Sequence, residues 1–321
     1  MASVQPRQLA CLVAVAEHRH FTRAAEELDI AQPSLSASIR ALEAELGAPL
    51  FHRVRGDVSL TPAGEALLPI AKRVLADLDA ARQEVGSLVQ LRSGQVRLGA
   101  TPSLCTGLLP EVLSQFRRSY PGIQLSLREG GSRDLVRALE AGDLDLALVI
   151  LPLTPRDRGL QARPVLREDL VLAMSASMRA ELAGPAAWPA GRAVAMSALE
   201  GIPLLTFRRG YDLRVALEDA CAAAGFEPTL VVEGGEMDAL VSLAEAGVGA
   251  CLLPITVARR SSLLTYPLSA RNMSRTIGVA QRQGVAPFAA VRALRQVLDE
   301  HLHQMALPDG VAVIGTASAP G

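Results

Sequence analysis

Cysteine is scarce: Cys11, Cys105, Cys221 and Cys251 stand far apart, with no C-x-x-C pair and no histidine at metal-ligand spacing. That excludes a zinc ribbon or a dithiol motif and matches a reduced, cytoplasmic chain; a cysteine that senses peroxide is the alternative. Aromatic residues make up only 3% of the chain, so its cores must be built from Leu, Val and Ala. With half of all residues hydrophobic, a globular fold follows and disorder does not. A net charge of −1 removes any general attraction to nucleic acid. Within residues 1–60, six arginines face seven acids, so DNA contact there depends on where the arginines sit. Long apolar runs are missing as well. Ala246 to Ala258 is interrupted by Gly, Pro and Thr and falls short of the ~20 residues a spanning helix needs, so no membrane role is expected. The apolar run after Arg7 imitates a short secretory leader, but its residues continue into helical spacing. A G-x-S-x-G elbow, an H-E-x-x-H pair, a P-loop and a convergent acid pair are all absent, so neither an enzyme nor a bound cofactor is expected.

What is present begins with Gln32–Leu46, QPSLSASIRALEAEL. Leu35, Ile39, Leu42 and Leu46 recur at steps of four, three and four and form one apolar stripe. The opposite face carries Pro33, Ser36, Ala37 and Arg40, flanked by Ser34 and Ala41. Such short side chains let a helix approach base edges, and the same face would also suit an ordinary surface helix. Leu9, Leu12, Val13 and Ala16 predict a preceding helix, and Thr22 is a candidate N-cap for Arg23 to Leu28. After Gly47 at the C-cap, Phe51–Arg55 and Val58–Thr61 read as a hairpin around Gly56-Asp57, placing Arg53 and Arg55 on one side of a strand.

Thr61 caps a long helix with Pro62 in its first turn and Pro69 inside it. Leu67, Ala71, Val74, Leu78, Ala81, Val85 and Leu88 alternate steps of four and three, the seam of a helix that pairs with a partner. Beyond Ser93-Gly94 the pattern becomes β-α-β-α-β: strands at Val96–Ala100, Gln124–Arg128 and Leu144–Leu151, helices at Leu108–Arg118 and from Leu135. That order predicts a parallel, doubly wound α/β sheet, in which ligands bind beyond the strand C-termini. Thr101-Pro102-Ser103 and Gly131-Ser132 occupy such turns, where their hydroxyls serve as helix caps or as ligand contacts. Gly247-Val248-Gly249 lacks the third glycine of a dinucleotide fingerprint and reads as a helix-to-strand turn. Residues after Leu307 show no pattern and are expected to be a loose tail.

The run FTRAAEELDIAQPSLSASIRALEAELGAPLFHR, followed by LTPAGEALL, resembles the DNA-binding segment of LysR-type transcriptional regulators. GQVRLGATPSL, YPGIQLSLREGGS, GDLDLAL and LVSLAEAGVGACLLP are similar to their effector domain. The resemblance implies a winged helix-turn-helix over residues 1–61 and a dimerising linker helix over 62–92. It also implies two Rossmann-like subdomains of the periplasmic-binding-protein type II kind, 93–166 with 268–303 and 167–267, and a tail at 304–321. By the same resemblance Gln32–Leu46 is the recognition helix, Gln32 adds to its base contacts, and Thr61 lies near a phosphate. Ala37 stands where the family often has a long polar residue, which shifts specificity toward Gln32, Ser34, Ser36, Arg40 and DNA shape. The resemblance also places Thr206, Phe207, Arg208, Met237 and Gly249, with Thr101, Pro102, Ser103 and Ser132, around a small-molecule effector. Implied partners are a double-stranded operator, the effector, further copies of the chain as a dimer or tetramer, and RNA polymerase.

Overall fold

Three short amphipathic helices can bury their apolar stripes only against one another, and this dictates the N-terminal unit. The structure is a computed structural model that describes residues 4–54, 57–87, 94–154, 157, 159–182, 188 and 192–314. Helices α1 (Pro6–His18), α2 (Phe21–Glu27) and α3 (Gln32–Leu46) bury Leu9, Leu12, Val15, Ala24, Ala25, Leu35, Ile39 and Leu42 in one cluster. The expected stripes hold with local changes. Val13 and Ala16 are only half-buried, Leu46 is exposed, and the cap of α2 is His20, whose Nδ1 accepts from the Thr22 N–H at 3.2 Å. Thr22 is therefore inside the helix.

Gly47, at φ 71°, ends α3 as the sequence predicts. Strands β1 (Phe51–Val54) and β2 (Asp57–Leu60) form the antiparallel wing. Helix α4 (Pro62–Ser87) then leaves the domain and runs through Pro69 without interruption. Gly64 is required in its first turn, because a Cβ there would lie 2.2 Å from the Leu50 carbonyl oxygen.

The seven-residue seam divides along α4. Ala71 is fully buried and Leu67 packs beside it, both against the N-terminal core, so neither is available to a partner. Val74 and Ala81 are exposed, Leu78 is half-buried, and Ile70 adds an exposed apolar residue that the seam reading missed. A helix that leaves a domain must first cover that domain, which is why its N-terminal apolar residues turn inward. The Val85 side chain and all of Leu88 lie outside the described residues.

The C-terminal region contains β3 (Gly94–Ala100), α5 (Pro102–Thr106), α6 (Leu109–Ser119), β4 (Ile123–Glu129), α7 (Ser132–Ala141) and β5 (Leu146–Leu151). These are followed by β6 (Leu160–Met174), α8 (Ala176–Glu181), β7 (Val194–Ala195), β8 (Pro203–Thr206), α9 (Asp212–Ala223), β9 (Thr229–Glu233) and α10 (Met237–Glu245). The chain ends with β10 (Ala250–Pro254), α11 (Ile255–Ala258), β11 (Leu264–Ser269), β12 (Ser274–Arg282), α12 (Ala289–Gln304) and β13 (Val311–Val313). The strand order is β4-β3-β5-β12-β6-β10-β8-β9. Pairing is parallel within β4-β3-β5 and β10-β8-β9, whereas β12 is antiparallel to both β5 and β6. The sheet is therefore mixed rather than wholly parallel, because the chain re-enters the first half from the second. Strand β6 carries both halves: residues 160–169 pair with β12, and 170–174 with β10 and β11.

One stretch of the expected tail is ordered. Val311–Val313 pairs with Leu166–Glu168 of β6, and the Asp169 N–H donates to the Gly310 carbonyl at 2.8 Å. Its short V-A-V alternation was too brief to register as a strand signal.

Candidate functional site

Two sites are built by these elements, one on α3 and one between the halves of the sheet. On α3, Gln32, Pro33, Ser34, Ala37 and Arg40 are exposed and Ser36 is half-buried, while Leu35, Ile39 and Leu42 face the core. Gln32 Nε2 donates to Ser36 Oγ at 2.9 Å, so two of the polar side chains on this face are already oriented together. Glu43 turns away, where its Oε1 accepts the Leu50 N–H at 2.9 Å and ties α3 to the wing. The face that remains is short, polar and carries the Arg40 cation.

Thr61 has a different task from the expected phosphate contact. It is buried; its Oγ1 donates to the Pro49 carbonyl at 2.7 Å and accepts the Gly64 N–H at 3.1 Å. Its hydroxyl thus caps α4 and pins the wing. The Arg53 side chain and all of Arg55 lie outside the described residues.

The second site lies where β3, β4 and β8 end, at the N-termini of α5, α7 and α9. Ser132, on α7, donates its Oγ hydrogen to Asp212 Oδ2 on α9 at 2.9 Å, and the same oxygen accepts the Ile150 N–H at 3.0 Å. Arg208 Nη2 reaches Asp134 Oδ2 at 3.3 Å, and Arg260 donates to the carbonyls of Thr106 and Gly107. These bonds join the two halves across a cleft.

Beneath them is a buried polar network. Arg275 Nε donates to Glu168 Oε1 at 2.8 Å, Arg275 Nη2 donates to Ser103 Oγ at 2.6 Å, and Thr256 Oγ1 donates to Glu168 Oε2 at 2.6 Å. Arg275 and Glu168 are cross-strand neighbours on β12 and β6, both almost fully buried. Two charges so placed persist only when paired and hydrogen-bonded, so they fix Ser103 at the floor of the cleft.

Of the expected cleft residues, Thr101, Ser103, Ser132 and Thr206 are buried polar groups at strand ends, and Pro102 and Arg208 line the opening. Phe207 stacks on Tyr211, with ring centroids 4.7 Å apart and planes 13° from parallel. Met237 is buried at the start of α10. Gly249 is at the other end of the sheet: a Cβ there would lie 2.8 Å from the Pro203 carbonyl oxygen, at the start of β8. It is a packing residue and not part of the cleft, because the turn into β10 is at the strand's N-terminal end.

Sequence reasoning missed Tyr211, Asp212, Glu168 and Arg275. Only the last two left a signal, opposite charges inside otherwise apolar strands. Burial, countered by the Ser132 hydrogen bond and by Arg275 and Arg133, leaves the Asp212 carboxyl above its ordinary value. The Thr101 and Tyr211 hydroxyls are buried without a hydrogen-bond partner.

Helix α7 also ends at a junction. Asp143, just beyond it, pairs with Lys72 of α4 at 3.2 Å, and Lys72 pairs with Glu17 of α1 at 2.8 Å. Gly142, at φ 80°, lets α7 end against Ala76; a Cβ there would be 3.0 Å from the Ala76 Cβ. Helix α7 therefore runs from the cleft to α4, and Lys72 links its end to α1 of the N-terminal unit.

Comparison with known proteins follows this division. Residues 6–65 match the family described as bacterial regulatory helix-turn-helix protein, lysR family, and residues 90–303 match the LysR substrate binding domain. A probable hydrogen peroxide-inducible genes activator of Streptomyces viridosporus is 34% identical, over 93% of this chain and 94% of that one. The DNA-binding transcriptional dual regulator OxyR of Escherichia coli K12 is 30% identical, over 93% and 97%. A solved full-length OxyR from Pseudomonas aeruginosa, with one cysteine changed to aspartate, superimposes with a TM-score of 0.73 at 26% identity, covering 97% of this chain and 99% of that one. The chain belongs to the LysR family and is a DNA-binding transcription regulator, with a winged helix-turn-helix at its N-terminus and an effector-type α/β domain behind it.

Proposed function

We propose that this regulator reads a double-stranded operator with α3 and that a small molecule held between β3, β4 and β8 controls the reading. The observation that carries the second part is the cleft itself. Two buried hydroxyls without partners, Thr101 and Tyr211, lie where the halves are joined by Ser132–Asp212 and Arg208–Asp134. A buried polar group left unpaired costs stability, and native structures keep such groups mainly where a ligand or a function uses them. Ligand entry that alters the Ser132–Asp212 bond moves α7, and α7 carries the change through Asp143 and Lys72 to α1. Pro33, Ser34, Ser36, Ala37 and Arg40 supply the groove-facing contacts, with Gln32 oriented by Ser36 and the wing arginines Arg53 and Arg55 on phosphates.

The assembly is a dimer or higher oligomer of this chain. In it the exposed row Ile70, Val74 and Ala81, with Leu78, pairs two α4 helices, and two α3 helices meet two half-sites. It acts on RNA polymerase at promoters in the cytoplasm and carries out no catalysis. The test is a small-molecule thermal-shift screen on the full chain, repeated with Thr101→Val. A ligand that stabilises the native chain and not the variant supports the cleft; equal stabilisation of both refutes it.

A second reading, a peroxide-responsive regulator, is favoured by the names of the relatives. The thiols speak against it. Cys11, Cys221 and Cys251 are buried, and burial pushes Cys221 up to about 11 and Cys251 to about 12. Cys105 is half-buried and is raised to about 11, by burial first and then by Glu129. Peroxide reacts with thiolates, and the raised values keep Cys105, Cys221 and Cys251 as thiols at neutral pH, while Cys11 is shielded by burial.

A further inference from the structure

Strand β12 carries an arginine near each end, and both are committed. Near its start, Arg275 donates to Ser103 Oγ at 2.6 Å and to Glu168 Oε1 at 2.8 Å, while Thr256 donates to the second oxygen of Glu168. Ser103 is 2% exposed and Arg275 6%, so this group is shielded from solvent. At the other end, Arg282 Nη2 donates to Asp77 Oδ1 of α4 at 2.6 Å. The strand thus begins at the floor of the cleft and ends on the linker helix.

What lies between is stiff. Strand β12 is paired on both sides, to β5 over residues 276–280 and to β6 along its whole length. Ile277, Val279 and Ala280 are buried, and a Cβ at Gly278 would lie 2.7 Å from Leu151 Cδ1, so its middle has no slack. Its far end is tied as well. Gln281 Oε1 accepts from Arg295 of α12 at 2.8 Å, and the Gln283 N–H donates to the Gly159 carbonyl at 2.8 Å. At about 3.4 Å per residue, the strand spans about 24 Å from Arg275 to Arg282.

Arg282 gives the effector domain a second hold on α4. The first is Asp143, just beyond α7, which pairs with Lys72 at 3.2 Å. Lys72 and Asp77 are separated along the helix so that they point about 140° apart around its axis. The two holds therefore act on different sides of α4, and a push through one is not a push through the other. Leu67 and Ala71 pack into the N-terminal core, so a displaced α4 takes α1, α2 and α3 with it. Arg282 is 16% exposed and Asp77 53%, and an ion pair so open to water adds little to stability. Its effect is on where α4 lies.

We propose that Arg275 and Arg282 are positioning residues of the response: Arg275 registers what occupies the cleft at Ser103, β12 carries the displacement, and Arg282 delivers it to α4 through Asp77. This line is separate from the path along α7, and it rests on the reading that the cleft controls the operator. Ser103 is the place to perturb it, because removing Arg275 would leave Glu168 buried and unpaired and endanger the fold.

The test is operator affinity of the full chain by fluorescence anisotropy, on a fragment selected from genomic DNA, with the melting temperature of each variant. Ser103→Ala is expected to shift the affinity at least about threefold. Adding Arg282→Gln is expected to abolish that shift, although Arg282→Gln alone melts within about two degrees of the native chain. Arg282→Lys, which keeps a cation beside Asp77, is expected to preserve the shift, and so is Lys72→Met. A larger fall in melting temperature makes Arg282 a structural residue and overturns the proposal. So does a Ser103→Ala shift that is the same with and without Arg282→Gln. If Lys72→Met abolishes the shift instead, the signal runs along α7; the cleft stands and this line falls. If Ser103→Ala binds like the native chain while Asp212→Ala does not, the floor is silent and the proposal is again overturned. Native-like binding by both variants removes the cleft reading along with it.

Discussion

Ser132 Oγ lies 2.9 Å from Asp212 Oδ2, and this hydrogen bond ties the start of α7 to the start of α9 across the cleft. The Ile150 N–H on the same hydroxyl fixes its direction, so Ser132 gives its one hydrogen to Asp212.

The pH dependence of this latch has a defined sign. The folded chain holds the Asp212 proton more tightly than the unfolded chain, whose ordinary value is 3.8. Ionised Asp212 therefore lowers stability above its folded value, and the penalty fades as pH falls toward 3.8. Asp212→Asn keeps an acceptor for Ser132 without the charge. Its melting temperature should exceed that of the native chain by roughly a few degrees at neutral pH, with the gap narrowing in acid. A gap that widens in acid contradicts the burial argument.

Lys72 joins three elements through Glu17 and Asp143 and is only 18% exposed. Burial alone would lower its pKa, but the two carboxylates outweigh it and the net shift is upward from 10.5. The pair's contribution is thus fully present below 10.5 and is lost only as pH rises through the raised value. Lys72→Met should cost about 1 kcal/mol in urea unfolding, uniformly between neutral and mildly alkaline pH. A cost that appears only below neutrality would assign the effect elsewhere.

The N-terminal unit was largely legible, because Leu35, Ile39 and Leu42 repeat at helical spacing and Gly47 stops the helix. The cleft was legible only as strand ends. Tyr211 and Asp212 enter it through the folding of two halves that meet far apart in sequence, and local spacing carries no record of such a meeting. The seam on α4 misled for a related reason: one heptad pattern serves two partners, the chain's own core at Ala71 and open solvent at Val74.

Arg40→Ala and Ser34→Ala test the exposed face of α3. Arg40→Ala should weaken operator binding by about 1–3 kcal/mol in fluorescence anisotropy and leave the melting temperature unchanged. Gly64→Ala should do the reverse. It places a Cβ against the Leu50 carbonyl and unfolds the N-terminal unit at lower temperature, by about 2–3 kcal/mol. Native-like operator affinity in Arg40→Ala would remove α3 from the groove.

The thiols should be slow. In the native chain at neutral pH, a disulfide reagent should modify Cys105 first and leave Cys11, Cys221 and Cys251 protected until the chain unfolds. Rapid sulfenic acid formation at any of the four by micromolar peroxide would restore the peroxide reading.

The central claim is that the cleft and the operator are coupled through α7. It is tested most directly by operator affinity in the full chain carrying Asp212→Ala, measured on a fragment selected from genomic DNA. The account predicts that losing the Ser132 bond shifts this affinity at least about threefold, and that Lys72→Met in the same chain abolishes the shift. Operator binding by Asp212→Ala that matches the native chain would contradict it.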